Sequence, residues 1–153
     1  MSSVDARLAE LNIVLPEPVA PVANYAPFVV TGNLVFISGQ VSIGPNGLVT
    51  GKVGAALTIE QGIEAAQACG VNLIAQLKAA CAGDLGRVRR VVKLGGFVNC
   101  NPDFVDQPKV VNGASDLMVA VFGDAGRHAR AAVGAPALPL DAAVEVDGVF
   151  EIA

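Results

Sequence analysis

Residues 28–40, Phe28-Val29-Val30-Thr31-Gly32-Asn33-Leu34-Val35-Phe36-Ile37-Ser38-Gly39-Gln40, decide the fold. Two runs rich in β-branched and aromatic residues, 28–31 and 34–38, flank the pair Gly32-Asn33. A two-residue loop that opens on glycine suits a tight hairpin. Neither run alternates cleanly between apolar and polar residues. Near-continuous apolar strands are expected where both faces of a sheet are covered. The hairpin therefore predicts a sheet with helices on one face and a second cover on the other.

Downstream, Gly44-Pro45-Asn46-Gly47 reads as a turn leading into a glycine-rich connection. Thr58 with Gln61 makes a capping-box signature. The helix it opens is expected to run to about Ala82, with Gly83 as its stop. Ile63, Ala66, Gly70, Ile74, Leu77 and Cys81 form one stripe, its small members allowing close approach to a sheet. A strand is expected over 88–98. It has Val91, Lys93, Gly95 and Phe97 on one face, and Val92, Leu94, Gly96 and Val98 on the other. Asp106 and Pro108 open a second helix that Gly123 ends. Ala129 to Ala135 is a strand of small residues, and Ala143 to Ile152 a final strand with a bulge expected at Asp147-Gly148.

Upstream, Val4, Leu8 and Leu11 have helical spacing over residues 3–12, with Ser3 as the expected N-cap. The Pro-rich stretch from Leu15 to Pro21 follows. The chain thus divides into an N-terminal helix and extension, 1–20, and a domain, 21–153. The fold class is α+β, a mixed sheet with two helices on one face. The same sheet face of neighbouring subunits is the economical cover for the other side.

Composition agrees. Of 153 residues, 53% are hydrophobic and 16% charged, which excludes a disordered chain and a charged coiled coil. So little charge on this much surface points to self-association. A net charge of −4 argues against a nucleic-acid partner. The short basic cluster Arg87, Arg89, Arg90 and Lys93 reads as a solvated strand edge or a small anion patch. Residues 18–51 carry no charge, but prolines and glycines interrupt them and no membrane span is expected. The first residues are too polar for a secretory leader. Cys69, Cys81 and Cys100 are an odd set without a C-x-x-C pair, and His128 is the single histidine. Reduced thiols in a cytoplasmic protein fit this pattern; a metal centre is not expected.

Arg130 lies in the apolar segment Ala129-Arg130-Ala131-Ala132-Val133, with no carboxylate nearby in sequence. A guanidinium in such a strand needs partners. It is either half of a structural ion pair or a clamp for a carboxylate ligand. Glu145 alternates against Val144 and Val146, as an exposed strand residue, the partner of Arg130, or a general acid/base. Tyr25, the single tyrosine, is a packed ring or part of a pocket. Asn112 bonds its local backbone in the plainest reading, and His128 is expected at a rim. Ser38, Ser42 and Ser115 lack a nucleophile-elbow context. The segment from Gly47 to Lys52 fails the phosphate-loop pattern.

Together these segments resemble the RidA/YjgF family, also labelled endoribonuclease L-PSP and chorismate-mutase-like. The resemblance rests on Gly32-Asn33-Leu34-Val35-Phe36-Ile37-Ser38-Gly39-Gln40, Val110-Val111-Asn112, Ala129-Arg130-Ala131-Ala132-Val133 and Val144-Glu145-Val146, and covers roughly residue 21 to the end. The N-terminal helix and the run from Pro21 to Tyr25 are similar to a longer branch. The resemblance implies a chorismate-mutase-like homotrimer with a barrel-like core and clefts between subunits. It implies hydrolysis of enamines and imines, 2-aminoacrylate-like 2-imino acids, to 2-keto acid and ammonia, without metal or cofactor. Arg130 would hold the substrate carboxylate. Glu145 would activate water with the Ala132 carbonyl. Tyr25, Gly39 and Asn112 would line the cleft, with Tyr25 a candidate to come from a neighbouring subunit. Ala131, Ala132 and Gly134 depart from the family's Ser, Cys and acidic residue. That keeps open a second function, non-catalytic sensing of a small carboxylate metabolite; the family label suggests a third, ribonuclease, which the acidic balance and single histidine disfavour.

Overall fold

The computed structural model describes residues 2–21 and 23–153. Val22, within the run 21–25, lies outside the described residues. Helix α1 (Ser3–Glu10) is followed by strands β1 (Phe28–Thr31), β2 (Leu34–Val41), β3 (Ile43–Gly44) and β4 (Gly47–Leu48). Then come α2 (Ile59–Ala80), β5 (Val88–Asn99), α3 (Gln107–Phe122), β6 (Ala129–Ala135) and β7 (Val144–Ile152). The main sheet has the order β1-β2-β7-β5-β6. All its pairings are antiparallel except β5 with β6. The fold is the expected α+β: a mixed sheet with α2 and α3 on one face.

The hairpin turns at Gly32, whose φ of +60° is the left-handed region that glycine enters without strain. Thr58 and Gln61 bond reciprocally across the first turn of α2. At α1 the cap is Ser2, one residue before the expected Ser3, because Asp5 rather than a later residue returns the reciprocal bond. β3 and β4 pair around the turn that the sequence indicated at 44–47.

Three differences concern where faces and helices meet. Strand β7 carries no extra residue at Asp147-Gly148; the extra residues sit on β5 and on β2, whose register shift falls opposite Asp147. On β5, Val91 pairs with Phe150 but Lys93 with Val149, so two residues advance for one. That bulge turns Val91 onto the helix face with Leu94, where both are fully buried. On β2, Ile37 and Gln40 span three residues against two on β7, which places a bulge at Ser38-Gly39. The third difference is that Gly70 admits α3, not the sheet. A Cβ there would stand 2.9 Å from Leu117 and 3.4 Å from Ala114. Gly113 repays the approach, since a Cβ on it would collide with the Ile63 carbonyl. Helix α2 and α3 thus meet backbone to backbone.

The core lies between helices and sheet, around Leu73, Ile74, Leu77, Leu94, Met118 and Phe150. The opposite sheet face is uncovered within the protomer and apolar: Val29 is 56%, Phe36 45% and Val133 47% exposed. Arg89 and Arg90 are exposed on the part of β5 that projects beyond β6, while Arg87 donates to the Ala153 carbonyl. Among the described residues, no helix is long and apolar enough to cross a membrane.

Candidate active site

The two charged candidates occupy opposite faces of the sheet. Arg130 stands opposite Leu94 in the β5–β6 ladder, and Leu94 faces the helices. Glu145 stands opposite Phe97, three residues further along β5. Alternation therefore turns Glu145 to the uncovered face. Arg130 and Glu145 are not ion-paired within the protomer.

Helix α3 presents its acceptors to Arg130 along one stripe, at positions 108, 112 and 115. Arg130 Nη1 donates to Asn112 Oδ1 at 2.8 Å and to Ser115 Oγ at 3.2 Å. Nη2 donates to the Pro108 carbonyl at 3.4 Å. Both Nη1 protons are then engaged. The side-on edge formed by Nε and the second Nη2 proton has no partner among the described residues. A guanidinium edge of this kind matches a carboxylate in bidentate fashion. Ser115, which the sequence gave no reason to single out, and Asn112 fix that edge. His128 is half-buried, with Nε2 2.9 Å from Ser115 Oγ.

Ala132 follows Arg130 by two residues on the same edge strand and lies opposite Gly96. A Cβ at Gly96 would stand 2.6 Å from Val111, so α3 seats directly on β5 here. Gly134 is crowded in the same way. A Cβ there would meet Cys100 Sγ at 2.7 Å and Gln107 Nε2 at 2.9 Å, and this leaves no room for an acidic side chain toward the helices.

Glu145 lines a recess on the other side, together with Tyr25, Ser38, Gly39, Val41 and Leu140. The bulge at 38–39 brings the β2 backbone onto its carboxyl. An ideal Cβ on Gly39 would be 2.7 Å from Glu145 Oε1. Burial, and then the nearby Asp147 charge, push the Glu145 carboxyl above the usual range. Asp147 is raised as well, chiefly by burial, with Gly95 and Lys93 opposing. Ser38 Oγ donates to the Ala26 carbonyl and Gln40 Nε2 to the Ser38 carbonyl. Those bonds hold the recess wall. Tyr25, 47% exposed, lines the recess beside Glu145 and is not beside Arg130.

A protomer thus holds Arg130 and Glu145 in two separate surroundings, and the fold around them identifies its class. Residues 5–151 match the family model described as "YjgF/chorismate_mutase-like, putative endoribonuclease", and the chain belongs to this family. Protein TCP17 of Trypanosoma cruzi is 49% identical over 151 residues, covering 97% of this chain and 94% of the relative. A crystal structure of Atu1372 from Agrobacterium tumefaciens, described as of unknown function, is 47% identical with a TM-score of 0.91, over 99% of this chain and 93% of that one. A Shewanella oneidensis crystal structure, described as a "putative endoribonuclease", is 35% identical with a TM-score of 0.93, over 97% and 99% of the two chains.

Proposed function

We propose that this chain hydrolyses 2-imino acids to 2-keto acids and ammonia, in clefts between the protomers of a homotrimer with a barrel-like core. The observation that carries the reading is the free Nε/Nη2 edge of Arg130, held by Asn112 and Ser115 with no protein acid on it. The exposed apolar face around Phe36 and Val133 needs a cover, and a second copy supplies it. Packing copies around that face would bring the Arg130 half-site of one protomer to the Glu145 half-site of the next.

The chemistry asks little of the protein. Arg130 binds the carboxylate and leaves C2 of the C=N bond facing Glu145. The Glu145 carboxylate takes a proton from water as the oxygen adds to C2, and passes it to nitrogen. In the resulting carbinolamine Glu145 carries the hydroxyl proton to the nitrogen; the C–N bond breaks, ammonia leaves and the ketone forms. A raised carboxyl is suited to both directions of that transfer. The Ala132 carbonyl would help to orient the water. No metal or cofactor is required, and the buried unpaired cysteines favour a reducing compartment such as the cytoplasm.

The test is to generate 2-iminopropanoate with an amino-acid oxidase and follow pyruvate. Faster release with the protein than in buffer, lost in Arg130→Ala, is expected; equal release across a panel of amino acids overturns the reading. Ala131, Ala132 and Gly134 favour a second reading, a sensor of small carboxylates. It predicts saturable pyruvate binding by calorimetry with no turnover. Ribonuclease activity finds less support, because the chain is net acidic and carries a single histidine, whereas RNA cleavage near neutral pH calls for two acid–base groups and a phosphate clamp.

A further inference from the structure

Arg130 is the end of a longer chain of hydrogen bonds whose direction can be worked out atom by atom. We infer that Ser115 and His128 form a strut of fixed hydrogen-bond polarity that positions Arg130 for the substrate carboxylate. The inference rests on the proposed role of Arg130 and adds two positioning residues to it.

The polarity starts at the backbone. His128 Nδ1 is 2.6 Å from the Gly126 carbonyl oxygen, which only accepts. Nδ1 therefore carries a proton, and in the neutral ring Nε2 is bare. Ser115 Oγ, 2.9 Å from Nε2, donates its hydroxyl proton to it. That turns the oxygen lone pairs toward Arg130 Nη1, which at 3.2 Å only donates. With the ring neutral, every link has one sense, and none can be reversed without leaving a donor facing a donor or an acceptor facing an acceptor.

The anchor is rigid. Gly126 is buried, and a Cβ on it would collide with the Met118 carbonyl of α3, so the turn at Gly123–Gly126 seats on the helix backbone. Ser115 and Asn112 lie on the same helix. The guanidinium is thus held from two points of α3, one directly and one braced through the ring of His128. With Nη1 pinned twice, rotation about its terminal bonds is blocked, and the free edge keeps one orientation. Such preorganisation acts on substrate binding more than on the chemical step.

The experiment compares Ser115→Ala, His128→Phe and Ser115→Thr with the unsubstituted protein. It measures kcat and KM on 2-iminopropanoate and the Kd of pyruvate by calorimetry. Loss of the strut should raise KM and Kd by about tenfold in Ser115→Ala and His128→Phe, with kcat within about twofold. Ser115→Thr, which keeps the hydroxyl, should stay within about twofold on every constant. Unchanged KM and Kd in the first two variants, or a Thr variant as defective as Ala, overturns the strut. If His128→Phe does not fold, Ser115→Ala decides, since it removes one oxygen atom. If the unsubstituted protein binds pyruvate without turning over imine, the catalytic reading fails and the strut is judged on Kd alone. Neither binding nor turnover defeats both.

Discussion

Gly39 and Glu145 meet so closely that position 39 has no room for a side chain. A Cβ there would lie 2.7 Å from Oε1 and 2.9 Å from the carboxyl carbon. The φ of Gly39 is not in the left-handed region, so space and not backbone strain excludes a larger residue. Gly39→Ala should fold and push the Glu145 carboxyl aside. We expect imine hydrolysis to fall by about tenfold or more with little change in melting temperature, measured by keto-acid release and thermal scanning.

The Arg130 edge is a geometric feature as well as a charge. Arg130→Lys keeps the cation but offers a point charge in place of the Nε/Nη2 pair. It should raise KM by about tenfold while leaving the oligomer intact, checked by steady-state kinetics and gel filtration.

Asp147 bears on Glu145 through charge. Its own folded value is raised by burial, so its contribution favours folding at acid pH and is lost as pH rises through that raised value. Asp147→Asn should melt a few degrees higher than the natural protein at neutral pH, and the gap should close in acid. The same substitution removes the like charge that lifts Glu145. The acid limb of the pH–rate profile, where Glu145 loses its negative charge, should move to lower pH.

Much of this fold is legible in the chain itself. The hairpin at Gly32-Asn33, the capping box at Thr58 and the helix stop at Gly123 are local signals, each fixed by two to four residues. The bulges are not, because an extra residue on β2 or β5 is defined only against β7. That is why Val91 lies on the other face from the one alternation assigns, and why Gly39, quoted in the family motif, has its packing role revealed only by Glu145. The candidate residues are legible one by one, but not their grouping. Arg130 meets Asn112 and Ser115 because a helix stripe faces an edge strand, a relation no spacing encodes.

Cys69 and Cys81 have thiols pushed up by burial, Cys69 far above the ordinary range, and Cys100 is buried beside Gly134. All three should resist a thiol-specific disulfide reagent in the native protein and react fully in denaturant. Rapid native labelling of Cys69 would contradict the packing of α2 on β7.

Subunit complementation tests the shared cleft most directly. Arg130→Ala and Glu145→Gln protomers, each inactive alone, are co-expressed and the mixed oligomers assayed for imine hydrolysis. If every cleft takes Arg130 from one protomer and Glu145 from its neighbour, an unbiased mixture recovers about a quarter of the natural rate. A mixture no more active than its separate components would contradict a cleft built from two protomers.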